Sequence, residues 1–380
     1  MELLDSEENR YTIKSVAGGG SSTIKNGKLA FHPYVLQSRR AMSYEFSRND
    51  WDKNTYVSIT QKLDNQRGAS LQNFEARLFQ IETNKESFNG LLSRILGPDF
   101  QWTIEQRDSG NYYIKCTNGR ASHSSEGIGD GVWSIFTICA ALFDAPENSV
   151  IVIDEPELSI HPAVQRRLMN IILEYSKDRQ IIISTHSPYF ISWVAITNGA
   201  KLIRVVKEEN DSKCFCLSDE CSRRFAGMLR ELDNPHILGI EANETFFLED
   251  RIILVEGQED VVIYQKIARE LNIPIKGSFF GWGAGGAEKM RIFLMLFRDL
   301  GYRHVVALLD GDKHDLAEDL RREFAETGYT IMTLETDDIR DKSERHIPSK
   351  TGIANQRGHI KDEYQEYIIR LFDEINEAML

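Results

Sequence analysis

The sequence predicts an α/β fold built in two successive units. Two observations predict it. Uninterrupted apolar runs, Val150–Ile153 and again from Ile252 to Val255, end abruptly in acid, as buried parallel strands do. Between such runs lie segments with apolar residues at helical spacing. From 126 to 190 the pattern is helix, strand, helix, strand. From 251 it resumes as strand 251–255, helix 258–271, strand 277–281, helix 286–299 and strand 304–309. That alternation implies crossover helices packed on parallel sheets.

Upstream, residues 1–70 are mixed, with turns at "AGGGSS" and "NGK". Leu71, Phe74, Leu78, Ile81, Phe88, Leu91 and Ile95 then predict one helix over 71–97, closing on Gly97. "WTIEQR" and "YYIKCT" predict a hairpin around "DSGN". A looser stretch over 196–248 ends in "EANETFFLEDR", a domain junction. The expected division is 1–247, 248–345 and a C-terminal helical segment, 346–380.

Composition narrows the class. The 380 residues suit two domains, and 41% hydrophobic content is that of a globular protein. No run approaches the roughly 20 apolar residues of a membrane span. The acidic start "MELLDSEENR" lacks a signal-peptide pattern, so a cytoplasmic protein with no membrane partner is expected. A net charge of −13 argues against coating nucleic acid by bulk electrostatics. It leaves room for a nucleic-acid enzyme with local basic strips. Arg39-Arg40, Arg166-Arg167, Arg223-Arg224 and Arg321-Arg322 could form such strips, but each reads better as a solvated face. Five cysteines fit a reducing compartment. Cys214, Cys216 and Cys221, with His236 as the one available fourth ligand, match no common zinc spacing and read as ordinary thiols.

The first chemical motif is "SVIVIDEPELSIHP", 149–162. A buried strand delivering Asp154 and Glu155 at its end resembles the Walker B site of P-loop ATPases. There the first acid serves the Mg²⁺ shell and the second polarises the attacking water. A second strand, "QIIISTHS", ends in His186, which resembles the switch histidine of ABC-type ATPases. "HSSEGIGDGVWSIFTICAAL" resembles an ABC signature segment, with Ser124 or Ser125 opening a helix toward a phosphate. Gln37, in "FHPYVLQSRR", resembles a Q-loop. The Gly-x4-Gly-Lys-[Ser/Thr] phosphate loop has no match in these residues, since Gly27-Lys28 lacks both the upstream glycine and the following hydroxyl. The Q-loop likeness favours loss of an N-terminal segment over internal decay.

The second constellation is a set of acids. "RIILVEGQEDVVIY" is a strand ending in Glu256-Gly257, with Asp260 one turn into the next helix. "VVALLDGDK" ends a later strand in Asp310 and Asp312. Adjacent parallel strands would bring these ends together. Two carboxylates ~4 Å apart at an effective dielectric of about 20 repel by on the order of 4 kcal/mol, so either they point apart into water or a cation sits between them. Oxygen ligands without Cys or His select Mg²⁺ or Mn²⁺. Strand-Glu-Gly followed by strand-Asp-x-Asp resembles the TOPRIM domain, and "FFGWGAGGAEKM" supplies the glycine-rich turn often found there. "IMTLETDDIRDK" adds Glu335, Asp337 and Asp338, of which Asp337 is taken as a further metal ligand. Lys342 or Lys350 is a candidate for stabilising phosphate charge, with Lys342 preferred.

An ABC-ATPase-like α/β domain followed by a TOPRIM (Rossmann-like) domain resembles the OLD (overcoming lysogenization defect) family of nucleases. The resemblance implies Mg²⁺-dependent DNA cleavage or nicking, by two-metal hydrolysis. It assigns Glu256, Asp260, Asp310 and Asp312 as metal ligands. It places Asp154, Glu155, His186, Ser125 and Gln37 at an ATP site, with ATP hydrolysis in question without the phosphate loop. It further implies a homodimer or higher homo-oligomer, an anti-phage role and a possible defence-system partner. Two other readings stand beside it. One is a catalytically idle regulatory or scaffold subunit. The other is a TOPRIM primase or topoisomerase, whose zinc module or tyrosine domain is not evident here.

Overall fold

The apolar runs at Val150–Asp154 and Arg251–Val255 are both inner strands of parallel sheets in the computed structural model. The structure describes residues 2–4, 10–15, 23–26, 34–38, 40, 44–48, 51–60, 74–83, 85–192, 195–196, 198–208, 211–230, 250–281, 283–342 and 349–380. The chain divides into two compact units, Met1–Phe190 and Ile191–Leu380. The expected junction at 247/248 and the one at 345/346 both lie outside the described residues, as do Leu71, Arg39 and His236.

The first unit opens with an antiparallel meander, β1 (Glu2–Leu4), β2 (Arg10–Ser15) and β3 (Thr23–Asn26). Next come β4 (Tyr34–Leu36) and α1 (Lys53–Thr60). The single helix expected over 71–97 is two, α2 (Phe74–Thr83) and α3 (Glu86–Leu96). The break falls where the Thr83 hydroxyl donates back to the Gln80 carbonyl, a local bond that competes with the helical ladder. The expected hairpin forms as β5 (Phe100–Gln106) and β6 (Tyr112–Asn118), and β7 (Ala121–Ser124) extends it. Helix α4 (Asp130–Asp144) is buried along nearly its whole length. Then follow β8 (Val150–Asp154), α5 (Pro162–Tyr175) and β9 (Gln180–Ser184).

Strands β4, β8 and β9 form a parallel sheet in that order. Its core is aromatic, with Phe136 of α4 meeting Trp102 edge-to-face at 5.5 Å and Phe88 at 6.0 Å. Into this core Arg77 and Asp144 are buried as a bidentate pair, at 2.8 and 2.9 Å. The Asp144 side chain is fully buried.

The second unit begins with a hairpin, β10 (Ile203–Glu208) and β11 (Asp211–Cys216), and helix α6 (Asp219–Arg230). The remainder is β12 (Arg251–Val255), α7 (Gln258–Glu270), β13 (Ser278–Phe279), α8 (Ala287–Asp299), β14 (His304–Leu309), α9 (His314–Glu323) and β15 (Thr330–Thr333). A two-stranded parallel pair follows, β16 (Asp338–Arg340) with β17 (Gly352–Ala354), and then α10 (Gln365–Ala378).

The sheet order is β13-β12-β14-β15, all parallel. Side-chain alternation along β12 covers both faces. Ile252 and Leu254 face the cluster of α8 and α9, with Phe293, Phe297 and Leu320. Ile253 and Val255 face that of α7 and α10, with Ile267, Leu371 and Phe372. The chain leaves β12 first to one side and then to the other. That reversal puts a crevice between the carboxyl ends of β12 and β14, where doubly wound sheets place their ligands.

Arg77→Ala is expected to destabilise the first unit by about 3–5 kcal/mol, because it strands a buried carboxylate. Urea titration of the unfolding transition measures it, and a loss under 1 kcal/mol would mean the pair is dispensable.

Candidate active site and nucleotide edge

The crevice of the second unit collects the expected acids. The Gly257 N–H donates to Asp260 Oδ2 at 2.7 Å, a capping interaction that fixes the turn from β12 into α7. Glu256 Oε1 accepts from the Asp310 N–H at 2.8 Å, which ties the ends of β12 and β14 together. Gly311 separates Asp310 from Asp312 and must be glycine. A Cβ there would stand 2.3 Å from the Thr336 carbonyl oxygen and 2.7 Å from that of Leu334. Gly283, at φ +82°, packs on Gly257 so closely that a Cβ would come within 2.7 Å of its backbone. The glycine-rich turn therefore braces the Glu256-Gly257 corner, and the Gly286 N–H donates to the Glu256 carbonyl at 2.8 Å.

Asp337, expected as a further metal ligand, is not among the buried acids. That residue is exposed, whereas its neighbour Asp338 is buried and turned into the cluster. No local pattern in "TLETDDIRDK" separates the two; the path of the turn between β15 and β16 decides. Lysines hold these acids. Lys342 pairs with Asp338. Lys350 Nζ lies 2.7 Å from Asp312 Oδ2, and Lys313 Nζ 3.3 Å from Asp312 Oδ1. Lys342 and Lys350 are joined through their backbones, the Lys342 N–H donating to the Lys350 carbonyl at 2.9 Å.

Burial and crowding act on the carboxyls as electrostatics requires. Burial first, then the neighbouring Glu256, Asp338 and Asp260, push Asp310 up to about 8. Burial also raises Asp260, to about 7, against the Gly257 N–H that lowers it and with Glu256 and Asp338 adding to the rise. Glu256 is raised, mainly by burial. Asp312 is different. Burial raises it, but the hydrogen bonds from Lys350 and Lys313 outweigh that and hold it below its usual range. Among the described residues no three His, Cys, Asp or Glu side chains stand ready as a metal-ligand group. The donor set nonetheless suits a hard divalent cation, since its buried carboxyls are short of positive charge.

The first unit gathers a second edge. The register pairs Leu36 with Ile153 and Asp154 with Ser184, so Gln37, Asp154, Glu155 and His186 all follow the same ends of β4, β8 and β9. Ser184 Oγ donates to Asp154 Oδ1 at 2.6 Å, and His186 Nε2 lies 4.0 Å from Glu155 Oε1. Glu157, which the sequence did not single out, organises the histidine loop. It accepts from Thr185 Oγ1 at 2.8 Å and from the His186 N–H at 2.6 Å.

Arg40 departs from the expected solvated face. Expected on a solvated face, it is 6% exposed and clamps this edge from beneath. Its guanidinium donates to the carbonyls of Gln37 (2.7 Å), Asp154 (2.9 Å) and Glu155 (2.7 Å) and to Ser134 Oγ (2.8 Å). Burial lowers it to about 10, against the opposing pull of Asp154, Glu157 and Glu155. Glu155 has φ +45°, a conformation that costs a non-glycine residue about 1–3 kcal/mol and persists where surroundings enforce it. The Arg40 bond to its carbonyl and the bond from its own N–H to the Ser184 carbonyl (2.8 Å) do so.

Ser125 does not open the long helix. It lies in a short 3₁₀ turn, Ser125–Gly127, and α4 starts only at Asp130. Its hydroxyl is fully buried, accepting from the Ile114 N–H at 2.8 Å and donating to the Ile114 carbonyl at 3.2 Å. It secures the hairpin.

Two family models each match a part of the chain. A family model described as "AAA domain, putative AbiEii toxin, Type IV TA system" matches residues 27–192. A second, "Overcoming lysogenization defect protein-like, TOPRIM domain", matches residues 247–312. Endonuclease GajA of Bacillus cereus (strain VD045) is 24% identical over 207 residues, 53% of this chain and 32% of that protein. The OLD nuclease of Thermus scotoductus is 31% identical over 157 residues, 38% of this chain and 28% of that protein. The Old nuclease of Escherichia phage P2 is 27% identical over 128 residues, 33% of this chain and 21% of that protein. The chain thus spans about a third or less of the length of the curated relatives it matches.

The raised Asp310 carboxyl has a consequence for stability. Its folded value lies above the ordinary 3.8, so the folded state holds more protons between about pH 4 and pH 8, and stability falls as pH rises through that window. Asp310→Asn is expected to stabilise the metal-free protein at pH 8 by about 1–2 kcal/mol, a gain that disappears below about pH 4. Thermal unfolding in EDTA across that range measures it; a destabilised variant at pH 8 would show that the carboxylate is not under strain.

Proposed function

Since the chain joins an AAA-type ATPase domain to an OLD-like TOPRIM domain, we propose that it is a metal-dependent DNA endonuclease whose chemistry resides in the crevice between β12 and β14. The observation that carries this reading is the convergence of Glu256, Asp310, Asp312 and Asp338 at one switch point, with a lysine on each of the last two. These carboxylates, together with Asp260, would hold Mg²⁺ or Mn²⁺. A divalent cation bound there would supply a water of lowered pKa and polarise the scissile phosphate.

The chain's own groups do the rest. Asp260 keeps the Glu256-Gly257 corner in place through its bond to the Gly257 N–H. The Asp310 N–H orients Glu256. Lys342, seated on Asp338, is placed to offset negative charge that builds on a phosphate. In the first unit, Gln37, Asp154, Glu155 and His186 are proposed to respond to ATP and to regulate cleavage, with Arg40 and Glu157 as positioning residues. The proposed functional division is an ATPase-like part over 1–247, a TOPRIM part over 248–345, and residues 346–380, whose helix α10 packs on the TOPRIM sheet. A cytoplasmic anti-phage effector acting as a homo-oligomer is the broader setting proposed from these relatives. Among the described residues no helix is long and apolar enough to cross a membrane.

A supercoiled-plasmid assay tests the reading. Purified protein is expected to nick DNA in Mg²⁺ or Mn²⁺ but not in EDTA, and Asp310→Ala/Asp312→Ala is expected to lower the rate by at least about 100-fold. ATP in parallel reactions reports on regulation. No cleavage by folded protein would favour an idle regulatory subunit. Altered linking number without cutting, or primer synthesis, would favour the primase or topoisomerase reading.

A further inference from the structure

We propose that Lys350 is an internal counter-ion, seated at the cation position of the carboxylate cluster, and that it must withdraw before those carboxylates can hold a divalent metal. The inference rests on the metal-dependent reading above and concerns how that site is controlled. Lys350 Nζ stands 2.7 Å from Asp312 Oδ2, 3.7 Å from Asp338 Oδ2 and 4.0 Å from Asp310 Oδ2. One ammonium thus lies among three carboxylates. They come from two stretches of chain: the turn after β14, and the start of β16. Lys342 does something else, since among the described residues its ion pair is with Asp338.

Size and charge decide which ion the oxygens prefer. An ammonium makes N–H···O contacts of about 2.7–2.9 Å and carries one charge. Mg²⁺ takes oxygens at about 2.0–2.1 Å and carries two. Two cations cannot occupy one position, so the ammonium and the metal compete for it. Lys350 has a way out. Its side chain is 24% exposed, against 12% for Asp310 and 1% for Asp338. A flexible four-carbon stem lets the ammonium move without disturbing the backbone pairing of Lys342 and Lys350. In the metal-free protein this arrangement neutralises crowded acids. Once displaced, the same ammonium stays within reach of the crevice and can meet an incoming phosphate. The cluster would then be a gated site rather than an open cage.

Mn²⁺ binding to the full chain, followed by the electron-spin signal of free Mn²⁺ without DNA or ATP, tests this directly. Lys350→Met and Lys350→Gln are expected to bind Mn²⁺ about tenfold more tightly than wild type, equivalent to ~1.4 kcal/mol. Using two neutral side chains of different polarity keeps a packing defect in one from deciding the result, and thermal unfolding in EDTA verifies folding of each. Lys350→Arg, which retains the charge, should remain at or below wild-type affinity. Lys361→Met, whose ammonium instead sits 2.7 Å from Asp341, should change affinity by no more than about twofold. Unchanged or weaker binding in both neutral variants overturns the proposal, as does equal tightening in Lys361→Met, which would mark a general charge effect. If neither wild type nor any lysine variant binds Mn²⁺, or if Asp310→Asn/Asp312→Asn binds as wild type does, the metal site itself is misplaced and both readings fall.

Discussion

Repulsion among buried carboxylates is the constraint on which the second unit turns. Glu256, Asp260, Asp310 and Asp338 share one crevice, and three of them are pushed toward their neutral forms. A fold selected for stability alone would not gather acids out of water without partners for all of them. Here the partners are Lys342, Lys350 and Lys313, each brought in by a segment that follows one of the acids. The cluster is charge-balanced on one side, at Asp312, and short of positive charge on the other, at Asp310. That asymmetry leaves Asp310 with the largest unrelieved repulsion.

Backbone proximity makes the crowding possible. Side chains can converge only if the strand ends that carry them lie close, and three glycines remove the obstacle. Gly311 lets the Asp-Gly-Asp turn slide under the Leu334–Thr336 carbonyls, and Gly283 lets the glycine-rich turn press on Gly257. Gly352 lets β17 lie against β16, where a Cβ would meet the Arg340 backbone at 2.1 Å. The last contact sets the position of Lys350, two residues upstream. Sheet topology supplies the crevice, and these close approaches bring the side chains within reach of one another.

The first unit solves a related problem by another route. Its edge acids follow β8, and Asp154 and Glu155 each have a backbone carbonyl turned inward. A single buried guanidinium, Arg40, gathers those two carbonyls with that of Gln37. It thereby couples the ends of β4 and β8 and holds Glu155 in its unusual conformation. Glu157 performs the matching task for the loop after β9. The two edges share a logic in which a charged side chain fixes the backbone that carries another set of charged side chains.

The sequence by itself determined the α/β class, the strands 251–255 and 304–309, and the acids Glu256, Asp310 and Asp312, because apolar runs ending in acid are local signals. The helix at 71–97 was legible as helical but not as two helices, since its apolar spacing carries across the break while the Thr83 hydroxyl bond does not show in a periodicity. Arg40 was misjudged for a deeper reason. An arginine pair looks the same on a solvated face and beneath a sheet edge, and only the carbonyls that surround it in space distinguish the two. The choice of Asp338 over Asp337, the withdrawal of Ser125 into the hairpin and the arrival of Lys350 among three carboxylates are likewise tertiary outcomes. Each depends on contacts between segments far apart in the chain, whose meeting is set by sheet order and close backbone packing and not by the residues on either side.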